Sequence, residues 1–391
     1  MARTVGLNSN GRLHSPLSIC FVLLCLSNIT FAEETSKEPW KYDAALLRPF
    51  WHGEQIEGES VLFLKGDPEG NTGTASVLFP IQKILAVKSS SGEIVYEEGR
   101  DYVWKVGSRE ISIPAGSRIP IHHPDELRRP AGSQKYRLTH RDGNGEILFG
   151  ARLEYAEMQT CITYQHAPGL WKSAVPVYDS KALPKTVSKL TSKQPVSIVV
   201  LGDSISAGAN SSELGKAPPY QPAYPELLQI HLENRFGTEV KLKNLSVGGK
   251  ATDWGITQVE NVLKEKPDLV ILAFGMNDSA GRSTEDYQAK TKQTIDLIRE
   301  QQPETEFILV ASMLGNRGWT TLKHERFPEY RDALQELCEP GIALADVTAI
   351  WTEFLKLKQD WDQTGNGVNH PNDFGHRVYA QVIATLLDPG K

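Results

Sequence analysis

An apolar run, Val196-Ser-Ile-Val-Val-Leu-Gly202, ends abruptly in Asp203-Ser204. Ile198 to Gly202 carry no polar side chain, and a run of that length bounded by turn residues suits a central parallel strand covered on both faces. In open α/β sheets, ligands bind just beyond the carboxyl ends of such strands, which puts Ser204 where chemistry sits. The alternative is that Asp203 and Ser204 only cap a helix or turn. The sequence downstream decides between the two.

Beyond this run, strands and helices alternate. Tyr224 to Phe236 keeps Leu227, Leu228, His231 and Leu232 on one helical face. Lys241 to Val247 reads as a strand, Thr252 to Lys264 as a helix, and Asp268 to Gly275 as a second buried strand. Ser283 to Asp286 has capping-box spacing, with Asp in place of Glu. Phe307 to Ala311 and Ile342 to Ala345 supply two more strands, and Asn372 to Leu387 a last helix. Five β-α repeats imply a three-layer α/β/α domain over 196–391 with a mostly parallel five-stranded sheet.

The region before it has another rhythm. Short runs such as Ser60 to Leu64, Ala75 to Phe79, Ile84 to Val87, Glu110 to Ile113 and Ile147 to Tyr155 are separated by turn residues. That spacing predicts an all-β sandwich domain over 33–179. The stretch 180–195, rich in Lys, Ser, Thr and Pro without apolar periodicity, reads as a linker. Residues 1–32 hold Arg3 and Arg12, a short apolar core from Ile19 to Leu26, and small residues at Thr30 and Ala32. They read as a secretory signal peptide, too short in its apolar core to span a bilayer. The expectation is export to the periplasm or medium, with no membrane insertion of the mature form.

Without residues 1–32 the chain has 40 basic against 48 acidic residues, a poor footprint for nucleic acid. Cys161 and Cys338 remain, and are expected to be buried free thiols. The sequons at Asn210, Asn244 and Asn277 fall in the blocks described next, where glycosylation would be damaging. His122, His123 and Asp125 lack a further spaced His or Cys, so no metal site is read there.

Each chemical motif falls at the end of a strand. After Ser204 come Asn244-Leu-Ser-Val-Gly-Gly249, Gly275-Met-Asn-Asp278 and, in the C-terminal loop, His370-Pro-Asn-Asp-Phe-Gly-His376. This ordered set resembles the SGNH, or GDSL-like, hydrolase superfamily over residues 196–391. The resemblance implies Ser204 as nucleophile and His370 as base, with His376 structural. It also implies an oxyanion hole of the Ser204 and Gly249 backbone amides and the Asn277 side chain, with no cofactor or metal. A serine hydroxyl needs such a base, and the charge on an attacked carbonyl needs donors already facing it.

One position departs from the pattern. Three residues before the histidine the superfamily has Asp, whereas Gly367 stands here, preceded by Asn366; Asp362 is eight residues upstream. Either Asp362 reaches His370, or a backbone carbonyl orients the ring of a Ser–His dyad. Trp254, Arg317 and Trp319 could line a substrate surface, or could belong to core or surface packing. Asp203 and Asp278 are expected to brace loops. The reading is an exported serine esterase that deacetylates a carbohydrate, acting on a small-molecule or polysaccharide ester. The alternatives are a lipase, phospholipase or acyltransferase of the same superfamily, or a glycan-binding protein without turnover.

Overall fold

The computed structural model describes residues 40–388 apart from 68, 151 and 152. The expected signal peptide over 1–32 lies outside the described residues, and among these no helix is long and apolar enough to cross a membrane.

The N-terminal region is built from antiparallel strands. Gln55–Leu62 (β1), Gly73–Ser76 (β2), Ile81–Ser89 (β3), Glu110–Ile113 (β4) and Gln159–His166 (β5) are its main elements. β5 lies between β1 and β3, and β2 pairs with β4 in a second small sheet. Alternation sets their inner faces: Ile162 and Tyr164 of β5 and Ile111 and Ile113 of β4 are buried in one core. The strand expected over Ile147 to Tyr155 is not formed among its described residues. Of these only Glu146–Ile147 is extended, and Glu154–Glu157 is a helical turn that buries Tyr155. A Cβ at Gly150 would stand 2.3 Å from Tyr155 Cβ, so the chain closes on itself here through a glycine.

The stretch read as a linker is instead ordered over Pro184–Thr191 (α1), with Thr186, Val187 and Leu190 buried. Two of the free amides of its first turn are satisfied by one carboxylate: Lys185 N and Thr186 N donate to Glu306 Oε1 and Oε2 at 2.9 and 2.7 Å.

Val196–Gly202 (β6), Val240–Asn244 (β7), Leu269–Ala273 (β8), Glu306–Ala311 (β9) and Ile342–Asp346 (β10) form one parallel sheet in the order β7-β6-β8-β9-β10. Helices Tyr224–Phe236 (α2), Thr284–Gln301 (α3), Arg326–Gln335 (α4), Val347–Leu357 (α5) and Asp373–Leu387 (α6) cover it. The helix expected over Thr252 to Lys264 is two short ones, Thr252–Thr257 and Val259–Lys264. Because β7 and β8 lie on opposite sides of β6, the chain leaves the Ser204 strand at the point where the order reverses, which is where open α/β sheets bind ligands.

The β region and the α/β region form one compact body. At their junction Lys358, wholly buried, reaches Glu59 Oε1 at 2.7 Å and donates to Ser76 O at 2.6 Å. Tyr164 Oη donates to the other oxygen of Glu59 at 2.7 Å. A buried charge pair is tolerable when its remaining polar atoms are satisfied in this way. Gln159 Nε2, at the start of β5, donates to the carbonyls of Trp361 and Thr364, both at 2.9 Å. The β region thus holds the loop between α5 and α6, which carries His370.

Candidate active site

β6 ends at Gly202, where a Cβ would stand 2.4 Å from Ser206 Oγ and 2.6 Å from Ala273 O. Only glycine lets the chain turn that tightly against β8. The buried Asp203 accepts Ile205 N at 2.9 Å and so braces the turn, while burial pushes its carboxyl up to about 7. Ser204 follows, partly exposed.

From the end of β7, Asn244 Nδ2 donates to Ser206 O at 2.7 Å and Val247 N to Gly202 O at 3.1 Å. These bonds lead the chain past the serine, and a Cβ at Gly248 would lie 3.6 Å from Ser204 Cβ. Gly249 has φ +75°, a region that suits glycine. The backbone N–H groups of Ser204 and Gly249 donate to no acceptor among the described residues. Beyond β8, the Asn277 side chain donates one N–H to Lys250 O at 2.8 Å, and its amide has a second. Asp278 accepts from Thr252 N, Thr252 Oγ1 and Arg282 Nε at 3.2, 2.7 and 2.6 Å, so it does brace these loops.

His370 lies opposite the serine, with Nε2 2.9 Å from Ser204 Oγ. Its Nδ1 lies 2.9 Å from Asn210 Oδ1, a partner not expected from the sequence. The orientation of Asn210 is fixed because its Nδ2 donates to Gly365 O at 2.9 Å. Oδ1 must therefore face the ring, Nδ1 carries the proton, and the lone pair of Nε2 faces the serine. Asn210 has φ +66°, which asparagine tolerates better than most residues, and a Cβ at Gly365 would stand 2.6 Å from Asn210 Cβ. Burial alone pulls His370 down to about 4, so the ring is neutral and able to accept a proton at neutral pH.

Asp362 is not at the ring. Its carboxylate accepts Leu62 N at 3.2 Å and Gln359 N at 3.0 Å and lies 3.6 Å from Lys358 Nζ, at the junction with the β region. Nor can position 367 supply an acid. Gly367 has φ +79°, and a Cβ there would stand 2.6 Å from the Tyr155 ring and 2.7 Å from Leu148 O. Asn366 organises the loop by accepting Val368 N, Asn369 N and His370 N on Oδ1. Its Nδ2 donates to Asn369 Oδ1 at 3.1 Å and lies as far from His370 Nδ1.

His376 is structural: its Nε2 donates to Ala209 O at 3.1 Å and so steadies the residue before Asn210. Trp254 packs edge-on to Phe274 with Lys250 Nζ 5.8 Å from its ring. Arg317 pairs with Asp360 at 3.0 Å, and the partly buried Trp319 packs against Leu138, Ile147 and Val368. His122 bonds Glu126 and His123 caps a short helix, while Cys161 and Cys338 are free.

Residues 200–378 match the GDSL-like Lipase/Acylhydrolase family. No curated protein matches the chain. Similar solved structures include a two-domain esterase (CEX) active on acetylated mannans, 22% identical, with 54% of this chain and 53% of that one covered and a TM-score of 0.44. An acetyl xylan esterase, AlAXEase, is 20% identical over 48% of this chain and 98% of its own, with a TM-score of 0.39. The lipase/acylhydrolase from Enterococcus faecalis is 21% identical over 48% and 93%, with a TM-score of 0.40. The match thus spans about half the length of the two-domain esterase. The stretch 200–378, in which Ser204 and His370 meet beside Gly248, is a GDSL-like lipase/acylhydrolase domain.

Proposed function

We propose that the protein is an exported serine esterase that removes acetyl groups from a carbohydrate. The observation that carries this reading is the bonded chain Ser204 Oγ to His370 Nε2 and His370 Nδ1 to Asn210 Oδ1, each at 2.9 Å. His370 takes the Ser204 proton as Oγ bonds to the ester carbonyl carbon. The carbonyl oxygen becomes an oxyanion, for which the Ser204 and Gly249 amides and the second Asn277 N–H are the donors. As the oxyanion collapses, the C–O bond to the sugar breaks and His370 Nε2–H protonates the leaving alkoxide. Water, deprotonated by the same nitrogen, then attacks the acyl-enzyme, releasing acetate and restoring Ser204. Asn210 holds the proton on Nδ1 throughout, so the third member is an amide and the transient imidazolium has no carboxylate beside it.

The carbohydrate part is supported by the β region, which forms one wall of the cavity beside His370 with Ser89, Ser90 and Ser91 in its lining. The test is hydrolysis of p-nitrophenyl acetate against p-nitrophenyl octanoate, with Ser204→Ala alongside. Expected are a preference for acetate and a loss in the variant of at least about 10³-fold in kcat. Undiminished activity in Ser204→Ala would overturn the serine mechanism, and a preference for octanoate would overturn deacetylation.

A further inference from the structure

A cavity of about 1090 Å³ lies between the β region and α6, and Asn210 and His370 form part of its wall. Ser204 is on the opposite side of the imidazole from Asn210, so the cavity adjoins the reacting centre without containing it. Its volume is at the upper end for small-molecule sites and suits more than one sugar ring.

Arg377 of α6 lines this cavity and is only 7% exposed. Its Nη2 donates to Gly58 O at 2.9 Å, and its guanidinium carbon is 5.3 Å from the centre of the Phe374 ring. It has no ion-pair partner among the described residues. Asp373, one turn earlier, commits Oδ1 to Ser212 N at 2.8 Å. Gly58 fixes the place of the guanidinium, since a Cβ there would stand 3.2 Å from Nη2. On the facing wall Lys88 is exposed and likewise has no ion-pair partner among the described residues. A buried guanidinium bonded to no carboxylate is costly: Asp373 and Glu57 favour its charge only from a distance, and burial pulls its pKa below the ordinary value. Its planar fork fits a carboxylate through two parallel hydrogen bonds.

We propose that this cavity is a subsite for a uronic acid residue of the glycan, with Arg377 taking the carboxylate, Lys88 closing over it and Ser90 and Tyr96 facing the sugar. The inference rests on the glycan-esterase reading and deepens it: the acidic sugar is a neighbour of the acetylated residue, held on the far side of the imidazole.

The test is calorimetric binding to the full chain carrying Ser204→Ala, a readout independent of turnover. The probes are the trisaccharides of galacturonate, glucuronate and mannuronate, each beside its neutral hexose counterpart, and sodium acetate. Expected is at least one uronate bound about tenfold or more tighter than its neutral partner, as a charge-assisted bidentate contact provides. Arg377→Gln should erase that preference, with thermal melting to check its fold. The exposed Lys88→Gln should reduce the preference severalfold and keeps the test decisive if the first variant does not fold. No uronate preference in any pair would overturn the proposal, as would acetate binding as tightly as the trisaccharides, which would mark a simple anion site. Failure to hydrolyse p-nitrophenyl acetate would instead count against the esterase reading, leaving the binding result to stand separately.

Discussion

Replacing Asn210 by glycine tests the assignment of the third catalytic member. The residue has φ +66°, so glycine leaves the backbone unstrained and the change removes only the amide. Two losses follow. The imidazolium formed in the transition state loses an acceptor at 2.9 Å, and hydrogen bonds to charged groups contribute about 1.5–3 kcal/mol. That range is about 10- to 150-fold in rate. The remaining side-chain neighbour of Nδ1 is then Asn366 Nδ2 at 3.1 Å, a donor, which favours the tautomer with the proton on Nε2 and so blocks the base. We expect kcat on p-nitrophenyl acetate to fall about 10²-fold or more, with KM within about twofold, because the amide does not touch the ester. Asn210→Asp provides the signed control: a carboxylate beside the ring raises a histidine pKa by about 1–3 units. The acid limb of kcat/KM, near pH 4 with His370 at about 4, should therefore move up in the Asp variant. A glycine variant within threefold of wild-type kcat would refute the role of Asn210.

Asp362→Asn should keep kcat near wild type but destabilise the fold by about 1–3 kcal/mol, because an amide must turn its NH₂ toward either Leu62 N or Gln359 N; denaturant melts beside the ester assay check this, and a large loss of kcat in a well-folded variant would return Asp362 to the mechanism. His376 is held at about 4 by burial, so the unfolded chain takes up its proton first, and its contribution to stability is complete above about pH 6.5 and is lost as pH falls toward 4. The destabilisation caused by His376→Gln should accordingly shrink between pH 7 and pH 4.5; melts giving the same difference at both would refute this assignment.

The strand that leads to Ser204 was legible because its apolar run reads as a doubly covered parallel strand. His370 was legible from its place in the C-terminal block. Asn210 was not: it follows Ser204 by six residues in a turn-rich stretch, and the φ above zero that points it at the ring is a product of the fold. Asp362 stood as one of two alternatives because it is an acid upstream of the histidine, whereas the loop carries it toward β1. The strand Gln159–His166 escaped because its inward positions include Thr160 and His166 beside Ile162 and Tyr164, which hides the alternation. Helix α1 escaped in the same way: Leu183, Val187 and Leu190 mark its buried face, but the intervening Lys, Ser and Thr read as linker.

The missing aspartate and the β region are connected through Tyr155. Its fully buried ring occupies the space beside Gly367, and Gly150 N donates to Asn366 O at 3.0 Å, so the N-terminal region stands where the side chain of an acid at 367 would go. The β region and an acid at that position therefore exclude one another sterically. The orienting acceptor comes instead from the segment that follows Ser204 in the chain, where Gly365 leaves room for Asn210 and supplies the carbonyl that fixes its amide. That carbonyl also explains why an amide suits the position, since an ionised carboxylate would set a second oxygen against Gly365 O. Burial keeps His370 neutral without help from a neighbouring charge, so the ring needs its tautomer set more than its charge balanced. On this reasoning the β region is part of the catalytic architecture: through Gln159, Leu148 and Tyr155 it fixes the loop that delivers His370, and removing it would cost the position of the base together with one wall of the cavity.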